Sequence, residues 1–91
     1  MLEFEWHRKK AEANERKHGV CFEEASTAFA DPRSLTVPDP AHSLEEDRFV
    51  LMGRSASGWI VVVVHTLRGE TSRRISARRA TPSERRTYEE A

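Results

Sequence analysis

Apolar and polar positions change their period several times along the chain, and each change marks an element. Phe4 and Trp6 alternate with Glu3 and Glu5, the spacing of a short strand or an ordered N-terminal arm. Residues 8–18, rich in Ala, Glu, Arg and Lys, are predicted to form a helix stopped by Gly19. Lys17 and His18 lie in its last turn, where cations suit the helix dipole. A second helix is predicted over residues 22–30. It carries Phe22, Ala25, Ala28 and Phe29 on one face and ends at Asp31-Pro32. The stretch 38–43 (Pro-Asp-Pro-Ala-His-Ser) is turn-forming, and Glu45, Glu46 and Asp47 extend it as a charged loop.

Strand spacing follows. Residues 48–54 alternate, with Phe49 and Leu51 on one side and Arg48, Val50, Met52 and Arg54 on the other. After the turn at 55–58, residues 59–65 form a β-branched run typical of a central strand. A hairpin at 67–70 leads into a strand over 71–80, in which Ile75 and Ala77 face one way and Arg74, Ser76 and Arg78 the other. Thr81-Pro82-Ser83-Glu84 is a capping box with proline at its first helical position, and it opens a helix that runs to the end. The expected fold is therefore α+β: an antiparallel sheet of three to four strands, with two N-terminal helices and one C-terminal helix. Short hairpins dictate antiparallel neighbours, and the helices cover one sheet face. Arg48, Arg54, Arg74 and Arg78 would then share the exposed face.

A length of 91 residues gives one domain, 1–91. The longest apolar run has six residues, far short of a membrane span, and the N-terminus lacks the pattern of a signal peptide. A single cysteine, Cys21, excludes an internal disulfide and a cysteine-based zinc site, so a reducing cytoplasm is the expected setting. The formal charge is zero, from 15 basic and 15 acidic residues, but it divides unevenly. Residues 1–47 carry six Lys/Arg and eleven Asp/Glu, whereas residues 48–91 carry nine Arg, no Lys and four Glu. An all-arginine half suits bidentate phosphate binding, or else pairs with the acids of the other half.

His7, His18, His42 and His65 have no partner at helical metal-site spacing, so neither a metal nor a cofactor is expected. No glycine-rich phosphate loop and no nucleophile elbow is present. Cleavage of RNA by its own 2′-hydroxyl fits better. It needs a base, an acid and cations around the developing phosphorane. His65 at a strand end suits proton transfer, or simply caps the sheet edge. Lys17 and His18 can serve likewise, or only complement the helix dipole. Arg74 and Arg78 can clamp phosphate, or form an ordinary solvated face. Arg73 and Arg79 suit pairing with helix acids, Arg85 and Arg86 suit surface charge, and Trp6 and Trp59 suit base stacking or the core.

Larger stretches of the chain also match a known pattern. These are Phe4-Glu5-Trp6; Asn14 with Lys17-His18-Gly19-Val20; and Phe22-Glu23-Glu24-Ala25. They continue with Asp31-Pro32, Asp39-Pro40 with His42, Glu46 with Arg48-Phe49, and Val63-Val64-His65-Thr66. The most specific runs from Arg74 through Thr81 (Arg-Ile-Ser-Ala-Arg-Arg-Ala-Thr), then Glu84-Arg85 and Tyr88-Glu89. In these the chain resembles the BrnT-type toxins of bacterial type II toxin–antitoxin modules, ribonucleases with a RelE-like fold. The resemblance implies RNA cleavage that inhibits translation and growth. It also implies an antitoxin with a DNA-binding domain, a toxin–antitoxin heterotetramer, and operator DNA reached only through the antitoxin. Carried over by position, it favours Lys17, His65, Arg74 and Arg78 as catalytic. Trp6, Arg48, Arg54 and Arg79 are then RNA contacts. One departure is His7, where the family has an aspartate cap; a poor cap costs about 1 kcal/mol. The competing expectation is a non-catalytic module whose arginine face docks a partner or RNA.

Overall fold

The structure is a computed structural model and describes residues 3–39, 47–68 and 71–91. The predicted loop residues 40–46, with His42 and Glu46, and the hairpin tip at 69–70 lie outside that set. Element order is β1 (Glu3–Glu5), α1 (Arg8–His18), α2 (Phe22–Thr27) with a 3-10 turn (Ala28–Ala30), β2 (Leu35–Pro38), β3 (Arg48–Arg54), β4 (Ile60–Arg68), β5 (Thr71–Arg79) and α3 (Pro82–Glu90).

Helix boundaries follow the local chemistry. His7 sits at the N-cap of α1 without a side-chain hydrogen bond, as its replacement of aspartate predicts, and the helix starts regardless. Gly19 ends α1 at φ 71°, a left-handed conformation that glycine adopts without steric cost, and its N–H donates to Glu15 O at 2.8 Å. The capping box of α3 is present in both directions, Thr81 with Glu84.

The sheet differs from the expectation of three to four antiparallel strands. It has five strands in the order β1-β5-β4-β3-β2, and it is mixed, because β1 pairs parallel to β5. β2 is the strand that periodicity passes over. It is four residues long, lies at an edge, and ends in Pro38, which cannot donate to a ladder. The remaining pairs, β2–β3, β3–β4 and β4–β5, are antiparallel.

α1 and α2 cover one face. The core there joins Val20, Phe22, Ala25 and Ala28 to Leu51, Val61, Val63 and Ala77. Gly53 lets the 3-10 turn approach, since a Cβ at that position would lie 3.0 Å from Ala28 O. Asn14 stitches α1 to β5: its amide nitrogen donates to Ala77 O at 2.8 Å and Val20 O at 3.0 Å, while Oδ1 accepts from Ala77 N at 3.0 Å. β1 pairs with β5 only at residues 71–73, so the Asn14 carboxamide completes the outer ladder where β1 has run out. α3 is tied to the opposite face and the sheet end through side chains. Its Glu84 reaches Arg78, and its Tyr88 hydroxyl donates to Asp31, which also accepts from the Arg54 N–H at 2.8 Å.

Candidate functional site

A β-bulge decides where the arginines of β5 point. Ser76 pairs with Val64 and Arg74 pairs with His65, so Ile75 is the extra residue between them. Simple alternation places Arg74 with Arg78 on the exposed face. The inserted residue rephases the strand and turns Arg74, with Ser72, onto the helix side beside His65. The expected arginine face is thereby corrected: Arg74 is 1% exposed, among the largest fully buried side chains. Arg78 keeps the opposite face, half-exposed and already paired: Glu84 accepts from its guanidinium at 2.7 and 2.9 Å. Those hydrogen bonds hold Glu84 down to about 2 and raise Arg78.

Around Arg74 the described residues build a cage without a carboxylate. The guanidinium carbon lies 3.9 Å from the Phe29 ring centroid and 4.3 Å from that of Phe4. Nε donates to Ser26 Oγ at 3.0 Å, Nη1 donates to Ser72 Oγ, and Nη2 is buried without a partner. Ser26 is itself anchored, donating to Phe22 O at 2.8 Å. Burial lowers Arg74 to about 10, which still leaves it charged at neutral pH.

His65 completes the group. Its ring stands edge-on to Phe29 at 4.8 Å and stacks with Phe49 at 5.9 Å. Nδ1 lies 3.4 Å from Ser72 Oγ, and Nε2 is buried without a partner. Arg74 can only donate to Ser72, so the serine hydrogen is free to turn toward His65 Nδ1. That orientation puts the imidazole proton on Nε2, as a donor facing no acceptor. Burial, and after it the Arg74 charge, lowers His65 to about 4, so the ring is neutral at pH 7. Between about pH 6.5 and pH 4 the unfolded chain takes up a proton that the folded chain refuses. Stability is therefore expected to fall on acidification across that window, by about 2–3 kcal/mol at pH 4.5. Urea denaturation of wild type and His65→Gln at pH 7.5 and 4.5 checks this: the variant should lack that part of the loss.

The other sequence candidates are placed apart. Lys17 is exposed in the last turn of α1. Trp6 packs edge-on against Phe22 at 6.0 Å and joins the core margin, as does Trp59. Arg48 is half-buried on β3 opposite Thr66. Arg54 donates to Gly58 O at 3.0 Å and lies over the Tyr88 ring. Arg79 stacks on Trp59 at 3.6 Å rather than pairing with a helix acid. Of the four residues favoured for catalysis, the fold brings only His65 and Arg74 together. Ser26, Ser72, Phe4 and Phe29 are the members that sequence reasoning missed. The serines offer no motif, and the aromatics read as ordinary core or edge positions.

An open groove of about 770 Å³ runs past this group, and Phe4, Ser26 and Phe29 in its wall are three side chains that enclose Arg74. Asp31, Arg54 and Ala56 continue the groove toward the β3–β4 turn. Among the described residues no three of His, Cys, Asp or Glu converge as metal ligands, and no helix is long and apolar enough to cross a membrane.

Comparison with known proteins adds a family. A search of curated proteins finds no match. Among solved structures, the 1.1 Å crystal structure of the Brucella abortus ribonuclease toxin BrnT superposes with a TM-score of 0.70. It is 23% identical, over 89% of this chain and 99% of that one, so the two share a fold. The family model for BrnT, the ribonuclease toxin of a type II toxin–antitoxin system, matches residues 6–84. The region it matches holds the bulged strand, His65, Arg74 and both serines, and this chain belongs to the BrnT family of ribonuclease toxins.

Proposed function

We propose that the 1–91 chain acts as one toxin domain that cleaves RNA by 2′-hydroxyl attack, without a metal. The observation that carries this is Arg74: a charged guanidinium, buried and caged, with no acid of the described residues in its hydrogen-bonding shell and one amino group unsatisfied. Burying an unpaired charge is costly, and such groups concentrate at functional sites. A scissile phosphate entering past Phe4 supplies the missing anion. Arg74 then neutralises the charge that grows on the phosphorane, the task a metal performs elsewhere. His65 is neutral, so its unpaired Nε2–H hydrogen-bonds an oxygen of the phosphorane and keeps its proton; the 2′-hydroxyl proton passes to water, and water protonates the departing 5′-oxygen. Lys17 and Arg78 stand apart from this pair, which favours a supporting role for them.

The family supplies the partner, an antitoxin. We place the antitoxin's DNA-binding domain outside this chain, so that operator DNA is reached only through a toxin–antitoxin heterotetramer in the cytoplasm. RNA in excess EDTA tests the chemistry. Purified protein is expected to cut it, leaving a 2′,3′-cyclic phosphate and a 5′-hydroxyl, and to spare an oligonucleotide 2′-deoxy at the cleavage position. Loss of cutting in EDTA, or equal cutting of the deoxy substrate, would refute this mechanism.

A further inference from the structure

A second cationic pocket lies where Arg54 closes β3, Ile60 opens β4 and Arg79 closes β5, against the side of α3. Its volume is about 370 Å³, toward the lower end of small-ligand sites. Arg54, Arg79 and Arg85 line it, and Glu89 is the one acid in its wall. The ion pairs Arg8–Glu12 and Arg78–Glu84 use none of these three arginines. The Arg79 guanidinium carbon sits 3.6 Å from the Trp59 ring centroid. Stacking of this kind occupies the guanidinium face and leaves its edge N–H groups to donate in pairs, the arrangement that fits a phosphate. Arg54 also lines the large groove that passes Phe4 and Phe29, so one arginine borders both cavities.

We propose that Arg54, Arg79 and Arg85 form a second phosphate subsite that holds the RNA backbone away from the scissile phosphate. The proposal rests on the ribonuclease reading and deepens it: the substrate is an extended single strand that spans the groove and ends in this pocket. Three cationic side chains against Glu89 favour an anion: Arg54, which already donates to Gly58 O and neighbours Asp31, adds charge, and Arg79 and Arg85 add N–H edges. The continuity through Arg54 favours the strand already held in the groove over an acidic protein segment.

The test is binding of uncleavable 2′-O-methyl oligoribonucleotides, two to ten residues long, followed by fluorescence anisotropy at several salt concentrations. Wild-type affinity is expected to rise with length until the oligomer reaches both cavities. Arg85 is exposed, so Arg85→Ala and Arg85→Glu are suitable variants, with circular dichroism to verify folding. Arg85→Ala should weaken the longest oligomer about 5–10-fold and Arg85→Glu more, with a smaller loss for the dinucleotide. Arg85→Ala should also reduce the slope of log affinity against log salt by about 0.7, one phosphate contact on a single strand. In cleavage of a long RNA both variants should raise KM more than they lower kcat. Arg86→Ala, one residue on and outside the pocket, should stay within twofold. A loss that does not depend on length, or an Arg85→Glu variant that binds like wild type, overturns the subsite while leaving cleavage at Arg74 intact. Normal RNA binding with lost antitoxin binding assigns the pocket to the partner instead. A wild-type protein that neither binds nor cuts RNA defeats the ribonuclease reading itself.

Discussion

Arg74→Met is expected to lower RNA cleavage by at least 10²–10³-fold while leaving the melting temperature at or above that of wild type. The two halves of that expectation have one cause. Removing a donor preorganised for a developing oxyanion costs about that factor in other enzymes. A group that only holds a fold together gives the reverse pattern, with stability falling first. Here the guanidinium is buried without a carboxylate among the described residues, so a thioether of similar reach keeps contact with Phe4 and Phe29 and relieves the desolvation of a charge. Arg74→Lys separates charge from geometry. An ammonium has neither the fork that reaches Ser26 and Ser72 together nor a planar face for the two rings, so it should recover little activity. Cleavage rates and thermal melts on the same samples decide it. Wild-type cleavage by Arg74→Met would remove Arg74 from the reaction.

Asn14→Ala is expected to destabilise the fold by about 3–5 kcal/mol, more than any change at His65, Arg74 or Arg85. One side chain satisfies three backbone groups: the N–H and C=O of Ala77 and the C=O of Val20. Truncation leaves these buried and unpaired, at about 1–3 kcal/mol for each. In a chain of this size that equals a large share of total stability, and it moves the midpoint by roughly 12 °C or more. Asn14→Asp is no rescue, because a carboxylate would face the Ala77 and Val20 carbonyl oxygens. Denaturant melts of both variants measure this, and a loss below about 1 kcal/mol for Asn14→Ala would mean that water replaces the amide.

Most elements were legible because local chemistry specifies them. Gly19 ends α1, Asp31-Pro32 follows the second helical segment, and Thr81 with Glu84 starts α3. The central strands announce themselves through β-branched runs. The edge strands did not. Three residues of β1 carry an alternation but cannot say which strand they join or in which direction. β2, short and ending in proline, has the composition of a loop. Residue chemistry and the resemblance both singled out His65 and Arg74, but strand spacing put Arg74 on the exposed face, away from where it lies. The serine partners stayed hidden because their role exists only once β5, β4 and α2 are assembled.

Ile75 has a consequence for how β5 tolerates changes in length. Deleting it would leave Ser76 opposite Val64 and Arg74 opposite His65, now in a regular ladder, with Arg74 and Ser72 still on the helix side. Flattening the bulge with the residue retained does the opposite. Counting back from Ala77, Ile75 and Arg73 would then turn inward, and Arg74 and Ser72 would be carried to solvent. A relative one residue shorter at this point can therefore keep the same chemistry. A relative of equal length can lose it if its strand runs straight. The arginine to compare between such chains is the one opposite the histidine, whatever its distance from Ala77.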